Sequence, residues 1–213
     1  MTSEQDDDDQ TLVAGVLAGH ERSVEQLVRR HSPALHRLAA AILGDGSLAD
    51  DVVQDTWLSA LGGIEGFAGR SSARSWLLAI CANTARTRRV KERRWLPFSS
   101  AWRDEREPGV EVGTSAGSGA WAAPVSEWDD TPHDAAATQA LHRREQEAID
   151  ALPPRQRTVV MACDVLALSG VEVAAMMGVS PGHQRVLLHQ ARTRLRVALA
   201  AEWEGETTGR GGS

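Results

Sequence analysis

The chain has 213 residues, with 23 Lys and Arg against 29 Asp and Glu for a formal net charge of −6, and 42% of its residues are hydrophobic. At about 100–200 residues per domain it holds one domain or two small ones. Its longest apolar run, Leu38 to Leu43, falls far short of the ~18–20 residues that span a bilayer, and its acidic start lacks the basic and apolar parts of a secretory signal, so a cytoplasmic protein without membrane insertion is expected. Cys81 and Cys163 are the only cysteines, and neither lies in a Cys-x-x-Cys. That excludes a disulfide scaffold or a cysteine zinc site and predicts two buried, reduced thiols.

Charge is segregated into blocks. Glu4 and Asp6–Asp9 make the start acidic, residues 86–94 (RTRRVKERR) carry five net positive charges, residues 103–134 carry six net negative ones, and residues 185–196 contain four arginines. Such blocks are solvated tails or polyanion contacts, so an acidic chain can still present two basic surfaces. Lys91 is the only lysine. The planar fork of Arg suits phosphates and guanine edges, although genome base composition produces the same bias.

In chain order, residues 1–10 read as a disordered acidic tail and 11–18 as a short helix. From Glu21 to Leu43 the residues Val24, Leu27, Val28, Leu35, Leu38 and Ile42 recur at helical spacing, and Gly44 and Gly46 end that helix. Ser47 with Asp50 resembles a capping box opening a second helix, with Val52, Val53, Trp57, Ala60 and Leu61 inside and Gly62 and Gly63 as its stop. A Gly/Ser-rich stretch, 66–72, leads into a third helix with Trp76, Leu77, Ile80, Cys81 and Thr84 inside and an Arg cluster at its end.

Residues 95–135 show no periodicity and read as an acidic linker, whose Trp95, Trp102, Trp121 and Trp128 imply that it lies against something. Helical pattern resumes near Ala136 with Leu141, Ala148, Ile149 and Leu152. Pro154 then starts a helix with Val159, Val160, Cys163 and Leu166 inside. No segment alternates as a strand. The expected fold class is all-α: two small helical domains, 11–94 and 136–201, joined by the flexible linker, with a disordered tail at 202–213.

The sharpest local signal runs from Ser169 to Ala201. Ser169 with Glu172 forms a capping box, Val171 to Met177 a short helix, Gly178 the turn, and Ser180 and Pro181 the start of a longer helix. Ala174 and Gly178 give the close approach and strained turn of a helix-turn-helix, while Arg185, Arg192, Arg194 and Arg196 lie on the second helix, suited to a DNA major groove. A helical hairpin with a basic face is the plainer reading.

The second signal is the third helix: Trp76, Asn83, then Arg86, Arg88, Arg89, Lys91, Arg93 and Arg94. Such a cluster can neutralise several phosphates, and the nearby Gly/Ser loop and Asn83 could hold an extruded base. A solvated helix end with favourable dipole charges would look similar.

Together these residues resemble a bacterial RNA polymerase sigma factor of the extracytoplasmic-function (ECF) group of the sigma-70 family. The resemblance rests on LADDVVQDTWLSA (48–60), GFAGRSSARSWLLAICANTARTRRVKERR (66–94), LPPRQRTVV (152–160) and the helix-turn-helix ending QARTRLRVAL (190–199). It implies a subunit that recruits core RNA polymerase to promoter DNA. The helix carrying Asp50, Asp51, Gln54, Asp55 and Trp57 would dock on the polymerase. Trp76, Asn83, Arg86, Arg88, Arg89, Arg93 and Arg94 would serve the −10 element as single strand. His183, Gln184, Arg185, His189 and Arg192 would serve the −35 element as duplex. The acidic linker would enter the polymerase as a nucleic-acid mimic, and an anti-sigma factor is a candidate partner.

One departure stands out. Such factors usually read T-V-K-S-R-L where this chain has His183 to Leu188 (HQRVLL), so Gln184 replaces an apolar residue and Leu187 replaces a DNA-facing Arg. Either the helix is rotated or readout relies on Arg185 and its neighbours. No P-loop, dinucleotide glycine signature, nucleophile elbow or His-Glu-x-x-His is present, so no enzyme activity, cofactor or metal is expected. The rival reading is a stand-alone helix-turn-helix regulator whose N-terminal region senses or dimerises; polymerase binding discriminates the two.

Overall fold

A computed structural model describes residues 2–69, 71–95 and 142–209, with side chains over 8–69, 71–91 and 142–200. Every regular element among them is helical. The linker's Trp102, Trp121 and Trp128 and the start of the helix expected from Ala136 lie outside the described residues.

The acidic start differs from expectation: α1 (Thr2–Leu17) is one helix through the run of aspartates. Carboxylates favour a helix N-terminus through the backbone dipole. Leu12 and Val13 are buried, and so is Asp9, whose Oδ1 accepts from Arg30 Nη1 at 2.8 Å. Apolar contact and a paired carboxylate together anchor a segment whose composition alone suggests disorder.

Helix α2 (Glu21–Leu43) buries Leu27, His31, Leu35, Leu38, Ala39, Ala41 and Ile42 and packs against α1, α3 and α4. It continues through Pro33, which removes one backbone donor, and ends at Gly44 in the left-handed conformation (φ 80°). The expected Ser47 capping box is absent: Asp45 Oδ1 accepts from Ser47 N at 2.8 Å. That bond winds Gly46–Leu48 into a 3-10 turn, and α3 (Ala49–Gly62) follows without a side-chain cap.

In α4 (Ala73–Trp95) the buried stripe is Leu77, Leu78, Cys81, Ala82 and Ala85. Trp76, Ile80 and Thr84, expected inside, form the neighbouring stripe at the margin of the core. Ser72 opens the helix, its Oγ accepting from Ser75 N at 3.1 Å.

In the C-terminal half, α5 covers residues 142–150 and α6 (Pro154–Val160) begins with Pro in its first turn. A π-helical segment, Met161–Val165, links α6 to the loop before α7 (Gly170–Met177). Both bonds of the Ser169–Glu172 capping box form, and Gly178 makes the turn at φ 69°. Helix α8 runs Pro181–Gly209, so the backbone expected to be a disordered tail from 202 continues helically to 209. No breaker precedes Gly205, and the alanines and glutamates there favour helix.

Candidate nucleic-acid interface

Seven residues separate Trp76 from Asn83, about two helical turns, so both lie on one side of α4. The Trp76 ring packs on Phe67 at 5.1 Å between centroids and 47°, within the range of tilted aromatic pairs. Phe67 follows the 3-10 turn Ile64–Gly66, so the loop before α4 is anchored to the helix by that contact. Asn83 is exposed, its side chain turned out of the core, and Arg86 is exposed one turn on. Phe67, Ser72 and Ser75 were not among the expected site residues. Aromatic spacing across the 66–72 loop was the available signal for Phe67.

Three of the arginines grouped with these have partners within the protein, Arg86 through Nε to the Ala82 carbonyl of its own helix at 3.2 Å. Arg89 Nη1 donates to the Ile42 carbonyl at 2.9 Å, capping the C-terminus of α2, where a cation also suits the helix dipole. Arg88 Nη2 lies 3.1 Å from Asp51 Oδ2, tying α4 to α3. Arg89 therefore has a structural partner beside its expected phosphate role, and Arg88 shares its guanidinium with a carboxylate in the free chain. Arg93 and Arg94 lie on the last turn of α4, where side chains fall outside the described residues.

On α3, Asp51, Gln54 and Asp55 are exposed on one face, and Asp50 is exposed beside it with Oδ1 3.4 Å from His36 Nε2. Trp57, assigned to the same docking surface, is buried, and its Nε1 donates to Ser32 Oγ at 3.0 Å. It supports α3 from behind and is not a contact residue. The apolar member of the exposed face is instead Leu58, 65% exposed, one turn beyond Gln54 and Asp55, a spacing already readable in the sequence.

On α8, Arg185 and His189 are exposed and His183 is half-buried. Gln184 is buried and donates from Nε2 to Cys163 Sγ at 3.2 Å, which removes it from the expected −35 set. It occupies the apolar position of the usual pattern, and the Cys163 sulfur satisfies its amide. Leu187 is buried at 5% exposure and faces the core.

Arg192 binds both oxygens of Asp164, Nε to Oδ2 at 3.0 Å and Nη2 to Oδ1 at 2.6 Å. The hydrogen bonds to Asp164 raise its pKa further. Arg192 thus clamps α8 to the π-helical segment, so in the free chain its expected DNA-contacting group is held by Asp164. Arg194 Nη1 likewise donates to Gln156 Oε1 at 2.7 Å.

The two thiols differ. Burial pushes Cys81 up to about 12. Cys163, expected in the core, is half-buried, with its pKa raised by burial and the adjacent Asp164. Among the described residues no group of His, Cys, Asp or Glu gathers as a metal site, and no helix is long and apolar enough to cross a membrane.

Comparison with known proteins finds two matched segments. Residues 27–95 match the family model of sigma-70 region 2, and residues 142–195 match that of sigma-70 region 4. The ECF RNA polymerase sigma factor SigM of Mycobacterium tuberculosis (strain ATCC 25618 / H37Rv) is 31% identical over 189 residues, covering 88% of this chain and 82% of SigM. SigG of the same strain is 35% identical over 158 residues, 71% of this chain and 42% of SigG, so the chain spans less than half of that relative. Among solved structures, CnrH in complex with the cytosolic domain of CnrY matches with a TM-score of 0.56 at 25% identity, over 91% of this chain and 97% of that one.

Proposed function

Because the chain belongs to the ECF RNA polymerase sigma factor family, we propose that it binds core RNA polymerase and directs initiation at specific promoters. The observation that carries this reading is the exposed side of α4, where Asn83 and Arg86 follow Trp76 braced on Phe67. An amide beside an aromatic platform reads an unstacked base, and a neighbouring cation holds the backbone. This surface is assigned to the −10 element as single strand. Arg185 at the start of α8, with His183 and His189, is assigned to the −35 duplex, since the first turns of a recognition helix meet base edges. Asp51, Gln54, Asp55 and Leu58 of α3 are assigned to polymerase docking. CnrH was solved with a bound cytosolic domain, and by that likeness an anti-sigma factor is a proposed partner. No catalytic step is assigned to this chain; the reaction belongs to the polymerase.

The test is reconstitution of the purified chain with core polymerase on promoter templates. Promoter-dependent transcripts are expected, and Asn83→Ala should relax preference at one −10 position with little change in salt dependence. Duplex binding without any transcript would favour the stand-alone regulator and overturn the proposal. A uniform loss across all promoter variants would return Asn83 to a structural role.

A further inference from the structure

Three arginines outside both expected DNA sets converge on one cavity. It has a volume of about 530 Å³ and is walled by α2, the start of α4 and the residues around the start of α7. Arg30 and Arg37 stand seven residues apart on α2, about two helical turns, and so share a face. Arg74 enters from the first turn of α4, beside Ser72 and Ser75, and Pro33 and Leu168 contribute apolar wall.

The carboxylates in the cavity already have donors. Asp9 Oδ1 accepts from Arg30 Nη1 at 2.8 Å, and its Oδ2 lies 2.9 Å from His31 Nε2. Glu172 Oε1 accepts from Ser75 Oγ at 2.6 Å, and its Oε2 accepts from Ser169 N at 2.9 Å and Ser169 Oγ at 2.7 Å. Arg37 and Arg74, by contrast, form neither a hydrogen bond nor an ion pair among the described residues. Both titrating neighbours feel Arg74. Burial alone would raise the Glu172 carboxyl, but the hydrogen bonds from Ser169 and Ser75 and the Arg74 charge bring it below its ordinary value. Burial lowers His31, and Arg30 and Arg74 lower it further against the pull of Asp9. The cavity therefore holds two guanidinium forks without a counter-ion.

The chemistry of an occupant follows from these groups. A guanidinium fork matches phosphate oxygens two at a time. Arg74 is half-buried, where water screens its charge less than on an open surface. The N-terminus of α4, a helix of 23 residues, adds its dipole to the attraction for an anion. Two forks and a helix end suit more than one phosphate group, and the volume falls within the ~300–1,000 Å³ of small-molecule sites. A DNA duplex, whose major groove alone is about 12 Å wide, does not enter it.

We propose that this cavity binds a small molecule carrying a di- or triphosphate, with Arg37 and Arg74 holding the phosphates at the start of α4 and Pro33 and Leu168 lying against the rest of the molecule. The site is distinct from the promoter and polymerase surfaces assigned above, and it does not depend on that assignment.

The experiment is isothermal titration calorimetry of the full chain with inorganic pyrophosphate and, separately, orthophosphate at constant ionic strength. One pyrophosphate site is expected, tighter than for orthophosphate. Arg74→Gln and Arg37→Gln should each weaken it about tenfold or more, the loss of a charge-assisted pair. Arg29→Gln, on the exposed part of α2 outside the cavity, should leave it unchanged. Amide shifts in nuclear magnetic resonance should cluster at residues 30–37 and 72–75, and thermal unfolding shows that each variant is folded. Absence of binding overturns the site. Binding that survives both Arg37→Gln and Arg74→Gln places the anion on the basic end of α4 and also overturns it. Equal affinity for the two anions overturns the polyphosphate class. A short single-stranded oligonucleotide that displaces pyrophosphate and shows the same dependence on Arg37 and Arg74 overturns the small-molecule assignment in favour of a nucleic-acid contact.

Discussion

Around α2 the core is aliphatic, with Leu27, Leu35, Leu38, Val52, Leu77 and Leu78 buried together and His31, Asp9 and Thr56 as its buried polar members. Around α8 the buried set includes Gln156, Arg157, Thr158 and Gln184 beside fewer large apolar side chains. Each of those four has a defined partner: Gln190 and Arg194 for Gln156, the Ala41 and Asp150 carbonyls for Arg157, the Pro154 carbonyl for Thr158 and Cys163 for Gln184. An unpaired buried polar group costs more than a formed hydrogen bond contributes. Both halves bury an apolar set, and the C-terminal half adds four partnered polar side chains, one of which the other half completes.

The largest effect that sharpens this contrast is expected at Leu187. Leu187→Ala should cost about 2–5 kcal/mol as a buried Leu truncation, and Leu187→Arg at least as much, because the small core has no partner ready for a cation. Thermal unfolding should show the loss in the transition of the helix-turn-helix half and leave the α2 core unaffected. Tighter promoter binding by Leu187→Arg at unchanged stability would mean that the side chain faces DNA.

Next in size is Arg185→Ala. An Arg held by guanine O6 and N7 discriminates by about 1–3 kcal/mol, and Arg185 is exposed, so the loss should appear at one −35 base pair while stability is unchanged. Gln184→Val is the converse probe: discrimination should persist, because Gln184 serves Cys163. Binding measured against a panel of single-pair promoter variants separates the two, and equal effects from both substitutions would merge them again.

Much of this was legible in the sequence because it is local. The Ser169–Glu172 box, the Gly178 turn, Pro154 and the Gly44 stop each follow from neighbours within four residues, and all four occur. What escaped was long-range pairing. That Arg89 caps α2, that Arg192 clamps Asp164 and that Trp57 reaches Ser32 depend on residues 25 to 47 positions away. A charge count treats every such Arg as available to phosphate. The acidic start misled for the same reason: Asp9 is held in a helix by Arg30, 21 residues on, which donates to its carboxylate.

A smaller effect tests the local kind of stabilisation. Ser169→Ala removes the cap on Glu172 N and should cost about 0.5–2 kcal/mol. The same change in a Ser75→Ala background tests independence, since Glu172 bonds both serines. Additive losses in denaturant midpoint are expected if the two bonds act separately; a shortfall of the double variant would show that one serine compensates for the other.

The smallest expected effect is a pH dependence confined to the N-terminal half. His31 is buried, with Nε2 2.9 Å from Asp9 Oδ2 but without hydrogen-bond geometry. Burial lowers its pKa below the ordinary 6.5; Asp9 acts in the opposite sense and Arg30 and Arg74 reinforce the lowering. The unfolded chain therefore takes up a proton near pH 6.5 that the folded chain refuses until a lower pH. Between those values the unfolded state binds more protons, so stability falls as pH drops and is fully present above about 6.5. His31→Gln removes the titrating group and should flatten that slope while Arg30 keeps Asp9 paired. Urea midpoints at pH 7.5 and 5.5 for both proteins isolate His31 from the other six histidines. An identical pH slope in the two would assign the dependence elsewhere and leave the buried imidazole as packing alone.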